Sequence, residues 1–208
     1  NLLLNKRPKV SFQMAIELEK FNSERKKMEK DLLNVALNTM NKSADDPVLV
    51  LQGNNWHEGI IGIIASRLKD KFNKPTIIIS TKDKIGKASA RSTVGFDIGA
   101  AIISALNKKL LIKGGGHKMA GGFSIETNKI NEFKKFIIKK YNNKVDKSFR
   151  KNCLYLDSSI SASAINLNFY EKIDKLSPFG SGNPEPKFLL EKMKVLKSSV
   201  VGERHIKS

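Results

Sequence analysis

The stretch VLVLQGNNWHEGIIGIIASRLKDKFNKPTIIIS, residues 48–80, decides the fold. Val48 to Leu51 is a short apolar strand. From Gly59 to Phe72 the apolar residues Ile60, Ile63, Ile64 and Leu68 recur on one helical face. Thr76 to Ser80 is a β-branched run and reads as a second strand. Working outward, Gly86 to Ser92 reads as another strand and Phe96 to Leu106 as an amphipathic helix. Asp97 sits near the first turn of that helix, where a negative charge suits the helix dipole. Gly121 to Glu126 reads as a strand, and Thr127 or Asn128 caps a helix that runs to about Asn142. Strands and helices in alternation give an α/β fold, a layered domain with a mixed sheet.

Upstream, Ser11 to Met40 reads as one long helix with Ser11 as N-cap. Met14, Leu18, Phe21, Met28, Leu32 and Val35 recur at spacings of three and four, and Arg25 interrupts the stripe. Such a stripe fits a coiled-coil or core-facing helix. Its shortness favours a rigid connector between domains. Asn41 to Pro47 ends the helix as a loop. Downstream, the polar segment Asn143 to Asn152 is a candidate linker. A strand at Cys153 to Asp157 and a helix around Ala164 to Leu176 follow. A Pro/Gly-rich loop, Ser177 to Pro186, leads to strand-like runs at Lys187 to Leu190 and Met193 to Val201. A further strand begins as the chain reaches Ser208, so the tail is read as a partial β-rich module. The expected units are 1–44, 45–145 and 152–208.

The chain has 208 residues with a formal net charge of +18 and a hydrophobic fraction of 40%, enough to bury a core. That charge favours a polyanionic partner, nucleic acid ahead of an anionic membrane surface. The arginines are Arg7, Arg25, Arg67, Arg91, Arg150 and Arg204; every other basic residue is lysine, so part of the charge reflects a general lysine bias. One cysteine, Cys153, leaves no disulfide within the chain and fits a reducing cytoplasm. No apolar run reaches the ~18 residues of a membrane span. Asn1-Leu2-Leu3-Leu4 is too short for the apolar region of a signal peptide. With no initiator Met, the chain reads as a piece of something longer.

Three segments carry candidate chemistry. Gly114-Gly115-Gly116-His117-Lys118 has glycines that permit positive φ, and successive N–H groups in such a turn form an anion-binding concavity. His117 and Lys118 add a donor and a charge. The same run also suits a plain tight turn between strands. In Lys87 to Ser92, a strand places Ser89 and Arg91 on one face, a hydroxyl beside a bidentate guanidinium that suits a phosphate. An ordinary half-exposed strand would look the same. In Trp56-His57-Glu58-Gly59, Trp56 is either a core residue or a stacking surface for a base. His57 beside a helix start is a phosphate or base contact. His57, His117 and His205 lack His, Cys or Asp partners at metal-ligand spacing, and Asp45-Asp46 stand alone, so no metal site is expected within the chain. No nucleophile–base pair is evident.

These motifs, in this order, resemble the bacterial RecJ family of single-strand-specific exonucleases. The segments are LEKFNSERKKMEKDLL (18–33), WHEGIIGIIASRL (56–68), KASARSTVGFDI (87–98), GGGHKMAGGFSI (114–125) and LSPFGSGNPEPKF (176–188). The Gly-Gly-Gly-His motif is shared across the DHH phosphoesterase superfamily; the Trp-His and Gly-Asn-Pro-Glu-Pro segments narrow it to RecJ. The resemblance implies that residues 1–44 hold the end of a catalytic domain and a connector helix. Residues 45–145 would be the DHH-associated domain, and 152–208 the start of an OB-fold. It implies a 5′-to-3′ exonuclease of DNA repair and recombination, with Mn²⁺ or Mg²⁺ held by a catalytic domain lying outside this sequence. This chain alone would then be inactive. Ser89 and Arg91 would hold the terminal 5′ phosphate, and Gly115, Gly116 and His117 would lie near the scissile phosphate, His117 as the catalytic-cleft residue. His57 and Arg67 would be supporting contacts. Single-stranded DNA is the implied partner, with single-strand-binding protein and a RecQ-type helicase beside it. Two rivals remain: another DHH phosphoesterase acting on short oligonucleotides or cyclic dinucleotides, and a non-catalytic nucleic-acid-binding or tRNA-editing accessory module.

Overall fold

The computed structural model describes residues 2–40, 45–144, 154–180, 182–202 and 205–207. Residues 1–152 and 153–208 form two separate compact units.

The first unit opens with α1, Pro8–Thr39. Its N-cap is Arg7, not Ser11. Proline at the first helical position has φ already set for a helix and lacks an N–H that would go unpaired there. Ser11 therefore lies inside the first turn, its N–H donating to the Arg7 carbonyl. Next come β1 (Leu49–Asn54), α2 (Glu58–Phe72), β2 (Thr76–Lys82) and β3 (Ile85–Arg91). Then follow α3 (Ile98–Asn107), β4 (Lys113–His117), β5 (Ala120–Glu126) and α4 (Ile130–Lys144). Asp97 caps α3, its carboxylate accepting from the Ala100 N–H at 2.8 Å. A single turn of 3-10 helix, Thr127–Lys129, leads into α4 where a side-chain cap was expected.

The strands form one mixed sheet in the order β1-β2-β3-β5-β4, with β1 and β2 parallel and the other pairs antiparallel. The layered α/β reading holds. Alternation along the strands separates two cores. Val50, Ile77, Ile79, Ala88 and Ala90 face α3 and α4, where Phe96, Ile102, Phe133 and Ile137 close the layer. Leu49, Leu51 and Ile78 face α2 and the end of α1, through Ile60, Ile64, Leu68 and Ala36. Of the long helix, only this last part is packed; Phe12, Ile16 and Phe21 are exposed. Arg25, which breaks the apolar stripe, reaches Glu29 at 2.8 Å, and Glu29 also pairs with Arg67 of α2. Glu29 is only 4% exposed, so this ion cluster fastens α1 to α2.

In the second unit, β6 (Ser158–Ile160) pairs in parallel with β7 (Phe188–Leu190), and α5 (Leu167–Asp174) lays Phe169 edge-on to Phe188 at 5.3 Å. β8 (Ser199–Val201) and β9 (His205–Lys207) form a hairpin. The expected strand at 153–157 starts later, because Asp157 is engaged in capping: its N–H donates to the Lys187 carbonyl and its carboxylate accepts from the Lys187 N–H. Residues 193–198 are irregular, so the last long run is strand only from Ser199. The expected helix at 164–176 is shorter, starting after the Asn166 cap. In the Pro/Gly loop, Gly180 and Asn183 exchange backbone hydrogen bonds, and the Asn183 amide donates to the carbonyls of Leu176 and Pro178. Cys153 and most of the expected linker lie outside the described residues. No described residue of this unit is buried.

Candidate nucleic-acid interface

The register of β3, β5 and β4 assembles the site. Antiparallel partners directly opposite one another point to the same face. Three rows result on the α2 side of the sheet: Lys87, Ser124 and Lys113; then Ser89, Gly122 and Gly115; then Arg91, Ala120 and His117. The outer rows lie about 13 Å apart, four residues along a strand. α2 covers β1 and β2 on this face and reaches β3, where Gly62 abuts Ser89 and Arg91. Beyond it an open cleft of about 400 Å³ is lined by Glu58, Ile61, Lys87, Ser89, Lys113 and Gly122.

The glycines divide by face. Gly114 and Gly116 point to the α3 side. A Cβ on Gly114 would fall 2.7 Å from the Phe123 Cβ, and one on Gly116 would strike the Ala120 carbonyl and the Gly121 Cα. Gly115 points to the cleft, where a Cβ would meet nothing within 4 Å. The expected positive-φ turn does not form: the glycines with positive φ among the described residues are Gly95, Gly182 and Gly202. Gly114 to Gly116 are extended strand, because their neighbours pair continuously with β5. Bareness, not left-handed backbone, is what the motif supplies. On one side it lets α3 approach; on the other it leaves a flat floor.

Arg91 lies along the floor's edge. Its Nη1 donates to the Ser89 hydroxyl at 3.3 Å and to the Ala90 carbonyl at 2.8 Å. Those bonds tether Nη1, and Nη2 lies beside Gly62. Lys87 pairs with Glu58 at 2.8 Å, with both side chains more than half exposed. Such a pair is worth only about 0–1 kcal/mol, so the ammonium is readily drawn to a phosphate.

His117 and His57 share an arrangement. Nδ1 of His117 accepts from the Met119 N–H at 3.4 Å, and Nδ1 of His57 accepts from the Gly59 N–H at 3.2 Å as the N-cap of α2. In the neutral ring each then carries its proton on Nε2 as a donor. Lys118 is an exposed residue of the β4–β5 turn, and its carbonyl accepts from the Ile98 N–H. Two sequence candidates stand elsewhere. Arg67 is engaged with Glu29, on the α1 side of α2. Trp56 packs on Gly53 and the second core, and its carbonyl accepts the buried Ser80 hydroxyl at 2.6 Å. Lys113 joins the site from outside the three segments, while Lys87, Glu58 and Gly122 lie in or just beyond them without having been assigned a site role. The two-residue period from Ser89 was a signal for Lys87; Lys113 needed the β4 register.

Among the described residues no three His, Cys, Asp or Glu side chains converge. These residues do not make a divalent-cation site. No described helix is long and apolar enough to cross a membrane.

The family model of the DHHA1 domain matches residues 45–143, and that of the RecJ OB domain matches residues 156–208. The single-stranded-DNA-specific exonuclease RecJ of Dickeya dadantii is 30% identical over 202 residues, 93% of this chain and 35% of that protein. RecJ of Bacillus subtilis is 27% identical over 182 residues, 86% of this chain and 23% of that protein. The crystal structure of RecJ from Thermus thermophilus in complex with Mn²⁺ superposes with a TM-score of 0.77 at 26% identity, covering 98% of this chain and 30% of that one. Its complex with Mg²⁺ gives 0.78 at 26% identity, covering 99% and 32%. The chain thus spans about a third of the length of the first of these relatives. With one family model on the α/β unit, another on the tail, and RecJ proteins aligned across nearly all of the residues between, the chain belongs to the RecJ family.

Proposed function

We propose that this chain grips single-stranded DNA for a 5′-to-3′ exonuclease of DNA repair and recombination. The observation that carries the reading is the set of rows on β3, β5 and β4: cations at both ends of a bare glycine floor. A strand laid on the floor meets Lys87 and Lys113 at one end, and Arg91 and His117 at the other. Ser89 and Arg91 hold a terminal 5′ phosphate, since a planar guanidinium gives paired donors to phosphate oxygens. His117 offers its Nε2–H to the phosphate under attack, and the N-terminus of α2 with His57 adds donors at the rim. The attacking water and the divalent ion belong to groups outside these residues, so the chain by itself binds without cleaving. Single-strand-binding protein and a RecQ-type helicase are the protein partners this reading expects of the whole enzyme.

The test is binding of the 208-residue chain to labelled single strands, with 5′-phosphate and 5′-hydroxyl ends, across a salt series. Affinity should fall by about 0.7 log units per log unit of salt for each phosphate contact. It should be higher for the phosphorylated end, and Mn²⁺ or Mg²⁺ should produce no cleavage. Equal affinity for the two ends removes the 5′-phosphate role, and cleavage by the chain alone removes the division of labour.

A further inference from the structure

We propose that Lys108, Lys135, Lys139 and Lys140, gathered round Phe136, form a second phosphate-binding track for a single nucleic-acid strand, continuous with the cleft. The proposal rests on the reading of the cleft and extends it to the opposite face of the sheet. α3 and α4 cover that face. Their outer surface carries two adjoining grooves, of about 470 Å³ and about 370 Å³, sharing Lys108, Phe136 and Lys139. Lys135 lines the first; Lys140 and Lys144 line the second.

Three observations mark this surface, and the second and third set it apart from the general lysine excess. First, its charge is uncompensated. Lys69, Lys87, Lys129 and Lys134 each have a carboxylate partner, whereas among the described residues no ion pair engages Lys108, Lys135, Lys139 or Lys140. Glu132 is the one carboxylate lining either groove. Second, the cations surround an aromatic ring. Phe136 is half-buried against the core, with the Lys108 and Lys140 ammonium groups 5.5 Å and 5.7 Å from its centroid. A ring between cations is the arrangement that takes a base between phosphates. Third, the surface joins the cleft. Lys108 ends α3, Lys109 turns the chain with φ 58°, and Lys113 opens β4 in the first row of the cleft. The connecting segment, with Leu110 and Leu111 buried, leads from α3 to the edge strand β4. On α4, Lys135 and Lys139, like Lys140 and Lys144, are one turn apart, about 6 Å along the axis. That repeat suits successive backbone phosphates and favours a strand over an acidic peptide, whose charges have no set spacing.

The experiment compares two double charge reversals in the full chain, Lys135→Glu with Lys139→Glu on the track and Lys20→Glu with Lys27→Glu on α1, plus Arg91→Ala in the cleft. Probes are single strands of roughly five and roughly thirty nucleotides, the shorter within the size one binding groove holds. The track variant should lose about fivefold or more in affinity for the long strand, with its salt slope lower by about 1.4 for two lost contacts, and bind the short strand normally. The α1 variant should do neither. Equal losses in both double variants reduce the effect to bulk charge and overturn the proposal. So does an unchanged long-strand affinity in the track variant. So does competition by polyglutamate as effective, per charge, as by the strand, which would assign the surface to an acidic protein. Arg91→Ala should weaken both probes; if the short strand is unaffected by it, the cleft reading fails instead.

Discussion

Gly115 and Gly122 stand opposite each other across β4 and β5, and the space above both is open. A Cβ on Gly115 meets nothing within 4 Å, and one on Gly122 meets only the Ala88 carbonyl at 3.4 Å. Gly121, one residue away on the other face, would drive a Cβ to 2.5 Å from the Ile102 Cδ1. Gly115→Ala should therefore keep or slightly raise stability, by ~0.4–1 kcal/mol, because alanine restricts the unfolded chain and φ is not positive here. It should nonetheless weaken strand binding by putting a methyl on the floor. Gly121→Ala should lower stability by ~1–3 kcal/mol through overpacking against α3. Thermal denaturation and strand-binding anisotropy on the same samples separate the two. Unchanged binding by Gly115→Ala would show that the strand does not touch the floor.

A second separation of stability from binding sits on α2. A Cβ on Gly62 would lie 3.1 Å from the Ser89 hydroxyl and 3.2 Å from the Arg91 Nη2. Gly62→Ala gains up to about 1 kcal/mol of helix propensity. The new methyl crowds the guanidinium away from Ser89 and the Ala90 carbonyl. Melting temperature should hold or rise, while the preference for a 5′-phosphorylated strand over a 5′-hydroxyl strand shrinks toward that of Arg91→Ala. If Gly62→Ala keeps the full preference, the Arg91 pose is not what reads the phosphate.

Much of the fold was legible because its elements are strongly periodic. α2 and α3 show their buried faces at helical spacing, and β2 is a β-branched run. The misreadings have local causes. Ser11 looked like a cap, yet Pro8 starts the helix three residues earlier. The glycine run signalled positive φ, but glycine also serves close approach, and composition does not distinguish the two. Only pairing with β5 shows Gly114 and Gly116 facing α3 and Gly115 facing the cleft. The same holds for Lys113, whose place beside Lys87 depends on two strand pairings distant in sequence. For Trp56 a clue was present: Gly53 precedes it by one short turn and makes room for the indole. Arg67 had none, since its partner Glu29 lies on a different helix.

That reading of Trp56 has an optical test. It is the one tryptophan in the chain, so its emission reports a single site. A base stacked on the indole would quench it strongly. Packed against Gly53 and the second core, it should keep its emission when a strand saturates the cleft. Trp56→Phe should lower stability rather than strand affinity per folded molecule. Quenching that tracks the binding isotherm would return Trp56 to the interface.

Glu58 would oppose a phosphate-bearing ligand in the cleft it lines. Its carboxylate lines the cleft and holds Lys87 at 2.8 Å. A phosphate entering the first row must draw Lys87 away and approach a negative charge. Glu58→Gln removes both costs. The exposed pair is worth at most about 1 kcal/mol, so strand affinity should rise by roughly two- to fivefold. The gain should shrink as salt screens the charge. Glu58 also stands in the first turn of α2, where a carboxylate favours the helix by ~0.3–1 kcal/mol, so the variant should melt slightly earlier. An affinity unchanged at low salt would mean that the strand does not reach Lys87.

The Glu29 cluster joins the long helix α1 to α2. Glu29 is buried, while Arg25 and Arg67 are 40% and 58% exposed along their side chains. Removing a guanidinium leaves a buried carboxylate with one partner fewer; removing the carboxylate returns two arginines to water. The two changes are therefore unequal. Arg67→Ala should be the more damaging, because an under-compensated buried charge is the costlier fault, within the ~3–5 kcal/mol of breaking a buried pair and reduced by the exposure of the arginines. Glu29→Gln keeps the volume and one acceptor, and should cost less. Combining the two should restore part of the loss, a coupling that independent sites would not show. Urea denaturation of the four proteins measures it. Additive effects would mean that the contact between α1 and α2 is held by the apolar residues Leu32, Leu33, Ala36 and Leu37, with the ion cluster contributing nothing to the joint.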